Sequence, residues 1–537
     1  MKIRLLFFFL VIPFCAFTQP GTVDVQHYKY EIELNDINDS ISGRAEMTCV
    51  AAKDSKAFYF DLVFARAGAK GMLVEKTFIY SEVKKDWVWI GFVQDSDGFC
   101  AIAFDNEFKQ GSTFKIAVIY KGIPADGLII SKNKYGKRTF FADNWPDRAH
   151  NWIPCVDDPS DKATVEFIVT APSHYQVVSN GLMIEETNLP DNKKLTHYRE
   201  DVPLPTKVMV IGVADFAVNL AGEVNCVPVY SWVFPEDKKK GFYDYALAKD
   251  ILSWYINYIG PFPYKKLANV QSKTIFGGME NAGAIFYHEN SIDGRRGEEY
   301  LLAHEIVHQW FGDMATEKSF PHLWLSEGFA TYLTHVYAES RDPGKFFERM
   351  KDDRDQVIDF VRSSPKPVVD STTAFLQLLN TNSYQRGSWV LHMLRRQLGD
   401  SVFKRSIRMY YDQYKGKNAE TKDLQAVFEK VSGKKLDTFF HQWLFTPDIP
   451  KLDITWQANV KEKKLMITVR QLQKSGPFSF PLDIDIWEHG LLRQSKKIFI
   501  NKDSQTFTFP LENGYVTGLH VDPSASLLYD GTVTQLK

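Results

Sequence analysis

Two histidines stand four residues apart in His304-Glu305-Ile306-Val307-His308, and eighteen more residues separate them from Glu327. On a helix, positions i and i+4 share a face, so both imidazoles can aim at one point. A carboxylate from a following helix completes three protein ligands. The fourth tetrahedral position stays open to water, which marks a catalytic rather than a structural zinc site. Glu305, beside the first histidine, is placed to take a proton from that water. The pattern predicts a zinc peptidase holding one zinc ion.

The flanking segments must position these groups. Residues 298–312 carry Leu301, Leu302, Ile306, Val307, Trp310 and Phe311, enough apolar positions for a buried helix. Residues 323–332 read as a second, mostly buried helix around Glu327. A lone carboxylate there would be a buried charge without a partner, which is costly. Metal ligation removes the conflict and disfavours the alternative of two core histidines and a solvated glutamate. His322, just before the second helix, could support the ligands from behind. His150 and His288 read as structural or surface groups.

Upstream lies Gly277-Gly278-Met279-Glu280-Asn281-Ala282-Gly283, after a β-like run over 267–275. Glycines in a strand let another backbone approach closely, and an extended peptide could pair with such an edge as an added strand. Glu280 then offers a carboxylate to a free ammonium group. Alone, the segment fits a glycine-rich bulge with a surface glutamate better. Beside the zinc pattern, substrate binding by Gly277, Gly278, Met279, Glu280 and Asn281 is the preferred reading.

Composition sets the outer bounds. At 537 residues the chain should hold about three domains. A formal net charge of -2 gives no reason to expect nucleic acid or an anionic membrane surface as partner. Lys2 and Arg4 precede an apolar run over 5–17, as in a secretory signal peptide ending near residue 19. Cys15 allows a lipoprotein reading, but the bulky Phe14 before it argues against that. No later stretch is apolar and long enough to span a membrane. The mature chain is therefore expected to be exported, periplasmic or extracellular. Cys49, Cys100, Cys155 and Cys226 would remain after processing, as thiols or in one or two disulfides.

The hydrophobic period divides the chain as a multidomain α+β protein. Residues 20–233 alternate with period two and predict an N-terminal β domain. Tyr28, Tyr30, Ile32 and Leu34 share one face, and Ala163, Val165, Phe167 and Val169 share another. Over 234–446 the period turns helical, with helices expected over 243–259, 343–361, 384–398, 401–414 and 421–431. Alternation returns over 447–537, which reads as a small C-terminal β-sandwich.

The glycine motif, the zinc motif and its spacer occur in the order seen in the gluzincin aminopeptidases, the group containing aminopeptidase N and leukotriene hydrolase. The stretch from Gly277 to Tyr384 resembles that family closely, and the two flanking β regions fit it by order and length. The resemblance implies a thermolysin-like catalytic domain over 234–446 and hydrolysis of single N-terminal residues from peptides with free amino termini. It also implies His304, His308 and Glu327 as zinc ligands, Glu305 as general base and Glu280 as the anchor for the substrate amine. Tyr384 draws its role from the resemblance alone. It sits in Asn382-Ser383-Tyr384-Gln385-Arg386-Gly387, where relatives carry Tyr-x-Lys-Gly, and there the tyrosine donates to the oxyanion.

Departures are expected in two places. Counting back from Ile153-Pro154-Cys155, Asp143 and Trp145 fall where relatives line the first pocket with Gln or Glu. Asp143 there helps bind the amine or favours basic side chains, or equally it only stabilises a turn with Pro146. The large C-terminal helical domain of many relatives is not expected. A zinc endopeptidase or an epoxide hydrolase on the same scaffold, and an inactive binding protein, are the competing readings. An intact zinc motif with Glu305 in place argues against the last.

Overall fold

The computed structural model describes residues 22–65, 69–95, 98–512 and 514–536. The proposed signal peptide over 1–19, with Cys15, lies outside the described residues.

The N-terminal alternation folds as expected. Strand Val23–Glu33 lies at the middle of an eight-stranded sheet, antiparallel to Ile41–Ala51 and parallel to Lys162–Pro172. Tyr28, Tyr30 and Ile32 point to one side and are buried, as are Ala163, Val165, Phe167 and Val169. A three-stranded sheet containing Ser55–Asp61 and a four-stranded sheet containing Arg138–Ala142 complete this region.

The boundary to the next unit falls earlier than expected. Strands Ala217–Val224 and Val227–Val233 belong to a five-stranded sheet with Leu267–Ser272, Ala284–His288 and Gly278–Met279, in that order. The N-terminal β domain therefore gives way at Ala217 rather than after residue 233. Period-two alternation reveals that a segment is a strand, but not which sheet takes it up. Alternate residues of this sheet face two different cores. Ala284 and Phe286 join the apolar cluster of the N-terminal region, while Ile285 and Tyr287 join the cluster beneath the helices.

The helices follow. They are α1 (Lys238–Tyr245), α2 (Ala248–Tyr258), α3 (Glu299–His308), α4 (Trp324–Arg341), α5 (Pro343–Ser363), α6 (Gly387–Leu398), α7 (Asp400–Tyr414) and α8 (Thr421–Ser432). The single helix expected over 243–259 is two. α4 gives way to α5 at Asp342, whose side chain accepts from the Gly344 N–H while Pro343 opens the new helix. α8 begins with a reciprocal capping pair between Glu420 and Asp423 and ends at Gly433 in the left-handed region. Among the described residues no helix is long and apolar enough to cross a membrane.

After residue 446 the chain is β again. One sheet holds Lys451–Asn459, Lys464–Gln471, Ser504–Pro510 and Asp530–Gln535, and a second holds Phe480–Glu488, Leu491–Ile500 and Val516–Val521. Their inward residues, among them Ile454, Ile467, Leu482 and Ile484, share the cluster of the helices. Cys49, Cys100 and Cys155 are buried thiols and Cys226 is an exposed one, so none of these four forms a disulfide.

Candidate active site

α3 is amphipathic in an unusual sense. Its Leu302, Ala303, Ile306 and Val307 enter the core, while His304, Glu305 and His308 face a cleft of about 650 Å³. α4 packs beside it and is buried on nearly all its length, which brings Glu327 to the same point. Nε2 of His304 and Nε2 of His308 are 3.1 Å apart, and each lies 3.3 Å from Oε2 of Glu327. A tetrahedral zinc with bonds of about 2.05 Å requires ligand atoms about 3.3 Å apart. The donor set and its spacing therefore fit that ion. The other nitrogen of His308, Nδ1, lies 3.1 Å from the Phe311 carbonyl and 3.1 Å from the Ser326 hydroxyl. Donation from Nδ1–H to that carbonyl fixes the tautomer that leaves Nε2 free to ligate.

Electrostatics sharpen the roles. Burial alone would raise the Glu327 carboxyl, but the imidazoles of His308 and His304 beside it hold it well below its ordinary value. Burial pushes Glu305 well above the usual range; His308 opposes, and the carboxylates of Glu280 and Glu327 reinforce the rise. A raised carboxyl suits a group that must both take and return a proton near neutrality. Tyr384 is pushed up by burial and by Glu327, Glu280 and Glu305, so its phenol stays protonated and can donate. Its ring stacks on that of His304 with centroids 6.0 Å apart.

Tyr384 reaches this place through a close crossing. It lies in a π-turn, Asn382–Arg386, just ahead of α6. There α6 meets α4 at Gly387 and Gly328, so tightly that a Cβ on either glycine would come within 3.0 Å of the other's backbone. Arg386 is fully buried. Its guanidinium donates to the carbonyls of Thr446 (2.7 Å), Asp448 (2.8 Å), Pro447 (3.1 Å) and Lys366 (3.2 Å). The fork thus ties the tyrosine turn by three bonds to the linker before the C-terminal sheets and by a fourth to the loop after α5, a spread that a lysine's single nitrogen could not match.

The glycine motif forms the sheet edge beside α3. Gly278–Met279 is the outermost strand of the five-stranded sheet. The Glu305 carboxylate packs directly on Gly278, where a Cβ would stand 2.4 Å from Oε1. Glu280 is nearly buried, lines the cleft, and its Oε1 has no hydrogen-bond partner among the described residues. Gly277 and Met279 line the cleft too. Asn281 does not: it is fully buried.

Asp143 also departs from expectation. It is fully buried outside the cleft, with Oδ1 accepting from Arg148 (2.7 Å) and Oδ2 from Thr274 Oγ1 and Ile275 N (both 3.0 Å). Both oxygens are committed to the local fold, which matches the turn-stabilising alternative. Its neighbour Trp145 does line the cleft, edge-on to Phe276 and Phe320. His322 does not back His304, His308 or Glu327; its Nδ1 lies 2.9 Å from Thr421 Oγ1 at the start of α8.

A buried polar layer behind Glu280 escaped the sequence reading. Gln309 Nε2 donates to the Glu280 carbonyl (2.7 Å) and to Asp313 Oδ2 (2.9 Å), while its Oε1 accepts from Gly283 N (2.7 Å). Lys207 pairs with Glu317, both buried. Lys162 donates to the carbonyls of Met314 (2.8 Å) and Asp313 (3.1 Å) and is pushed down to about 7, chiefly by burial. Gln309 follows the zinc motif directly and could have been suspected. Lys162 and Lys207 come from the N-terminal region and carry no local signal.

Two histidines, a carboxylate and a neighbouring glutamate on this scaffold define a metallopeptidase type of site. Residues 243–443 match the peptidase family M1 domain, and residues 24–208 match the peptidase M1 N-terminal domain. The chain belongs to peptidase family M1. It is similar to a probable aminopeptidase 2 from Sulfurisphaera tokodaii, 27% identical over 415 residues, 73% of this chain and 50% of that protein. It is also similar to glutamyl aminopeptidase from Homo sapiens, 27% identical over 360 residues, 63% of this chain and 37% of the other. Aminopeptidase M1 from Arabidopsis thaliana is 28% identical over 348 residues, 62% of this chain and 39% of that protein. The chain thus spans about half or less of the length of these curated relatives.

Proposed function

We propose that this protein is a zinc aminopeptidase that removes single residues from the free N-terminus of peptides. One observation carries the reading: three ligand atoms converge at zinc spacing, and an unpartnered carboxylate, Glu280, lies in the same cleft. When bound, the ion supplies Lewis acidity, polarising the scissile carbonyl and acidifying water. Glu280 holds the α-ammonium group of the substrate. Glu305 accepts the proton of the attacking water and returns it to the leaving amine. Tyr384 donates its phenolic hydrogen to the carbonyl oxygen as negative charge develops there. The fixed separation of Glu280 from the ligand set restricts cleavage to the first peptide bond.

The supporting architecture is read with it. The catalytic unit is thermolysin-like, and the two sheets after residue 446 form a small β-sandwich. The segment 1–19, with its basic start and apolar run, directs the chain to the periplasm or the exterior.

A panel of aminoacyl reporter substrates, with and without a chelator, tests the function. An N-acetylated peptide run alongside separates exopeptidase from endopeptidase. Chelator-sensitive release from the free-amine substrates, with the acetylated peptide left intact, is expected. Cleavage of the acetylated peptide at a comparable rate would overturn the exopeptidase assignment.

A further inference from the structure

The cleft does not stop at the catalytic groups. It continues past them to a polar end built by α4, α5 and the start of α3, where Tyr300, Thr331, His335, Arg349 and Asp353 line the wall. Thr331 and His335 stand one and two turns beyond Glu327 on the same face of α4, about 6 and 12 Å along its axis. Both are more than nine-tenths buried. Thr331 Oγ1 and His335 Nδ1 have no hydrogen-bond partner among the described residues. Arg349 holds its guanidinium 3.8 Å from the centroid of the Tyr300 ring. No carboxylate pairs with it among the described residues. Asp353 is one turn away on α5, but it turns to His335, 2.8 Å from Nε2. The charge left open to the cleft at this end is thus a cation held flat against an aromatic ring.

The position of this end relative to the amine anchor follows from α3. Gly277, Gly278 and Glu280 run alongside the helix, near Leu301, Glu305 and Gln309 respectively. Glu280 therefore lies just past the C-terminal end of α3, the two histidines stand at its middle and last turn, and Tyr300 with Arg349 marks its start. Tyr300 and Gln309 are about 13 Å apart along the axis. An extended peptide whose amine sits at Glu280 advances about 3.4 Å per residue toward Arg349. That path leaves room for about two residues beyond the scissile bond.

We propose that Arg349, backed by His335 and Thr331, forms a carboxylate subsite that reads a negative charge two residues past the cleaved bond. The proposal rests on the aminopeptidase reading and deepens it. A planar guanidinium already stacked on a ring loses little freedom on binding, and it can grip a carboxylate with two parallel hydrogen bonds. The charge comes either from the free C-terminus of a tripeptide or from an acidic side chain of a longer one.

Three substrates distinguish these cases: Ala-Ala-Ala as free acid, Ala-Ala-Ala amide, and Ala-Ala-Glu amide, each followed by kcat/KM. The wild-type protein should favour the free acid over its amide by about tenfold. Arg349→Met should bring that ratio close to one, and Arg349→Lys, which keeps the charge without the fork, should retain part of it. The amide rate of each variant serves as its own folding control. Ala-Ala-Glu amide matching the free acid assigns the subsite to acidic side chains; matching the plain amide assigns it to the chain end. A wild-type ratio near one, or an unchanged ratio in Arg349→Met, overturns the subsite while hydrolysis of an aminoacyl reporter leaves the aminopeptidase reading standing. No hydrolysis of that reporter by the zinc-loaded protein overturns both.

Discussion

Tyr384 and Gly278 bear on the reaction in different ways, and their substitution separates chemistry from placement. On the proposed mechanism, Tyr384→Phe removes one hydrogen-bond donor from the developing oxyanion. It should lower kcat by about 10²–10³ while leaving KM within a few-fold. A rise in KM with unchanged kcat would mean that the phenol binds substrate instead. Gly278→Ala forces a methyl into the Glu305 carboxylate at 2.4 Å. It should depress kcat by about 10²–10⁴ with the bound zinc retained, since the ligands sit elsewhere on the helix. Near wild-type turnover in that variant would show that Glu305 does not need its seat on the strand. At this scale the pairing of His304 with His308 was legible because helical spacing is rigid: i and i+4 must meet. The two readings of Asp143 stayed open, and Asn281 was assigned to the cleft, because position along a motif does not say which way a side chain turns. Arg349 and His335 were invisible, since a lone Arg and a lone His on two different helices carry no spacing that points to a common target.

α6 joins the tyrosine turn to the C-terminal sheets through one buried histidine. Nε2 of His392 lies 2.8 Å from the Ala525 carbonyl, and Nδ1 lies 3.1 Å from the Tyr332 hydroxyl on α4. Burial pushes this imidazole down to about 3, with the Ala525 carbonyl opposing and Arg396 and Arg395 adding to the fall. The ring is therefore neutral in the folded chain. Its unfolded counterpart titrates near the model-peptide value of about 6.5, so below that pH only the unfolded chain takes the proton. The stability linked to this group is complete above about pH 6.5 and is lost as pH falls toward 3. Between pH 6.5 and 5 the loss from this site is about 2 kcal/mol. Denaturant midpoints at those two pH values should differ less in His392→Gln than in the wild type, by about that amount. An identical pH difference in both proteins would contradict the neutral, linked histidine. The helices themselves were readable from their period. The break between α1 and α2 and the π-turn at Tyr384 were not, because both depend on neighbours distant in sequence.

Across the whole molecule, the N-terminal region and the catalytic unit are joined by charge as well as by apolar packing. Lys207, from the turn after strand Lys193–Pro205, is buried against Glu317 beyond α3, and Glu280 lies close enough to add to its positive bias. Lys207→Met leaves Glu317 buried without its partner. It should destabilise the joined unit by about 3–5 kcal/mol, seen as an earlier first thermal transition. Replacing both residues with apolar ones should recover most of that loss; no recovery would place the effect outside the ion pair. The order β, mixed, β was plain from the sequence. The true edge of the catalytic unit at Ala217 was not, because its first two strands alternate just as those before them do.

The account turns on one point in space where His304, His308 and Glu327 meet. The most direct test is metal content measured together with turnover: zinc per chain in the purified protein, and reporter hydrolysis before chelation, after it, and after zinc is restored. One zinc per chain, loss of hydrolysis on its removal and return on its replacement are expected, with Glu327→Gln holding far less metal. A protein that stays fully active when stripped of metal, or that binds zinc equally well without the Glu327 carboxylate, would contradict it.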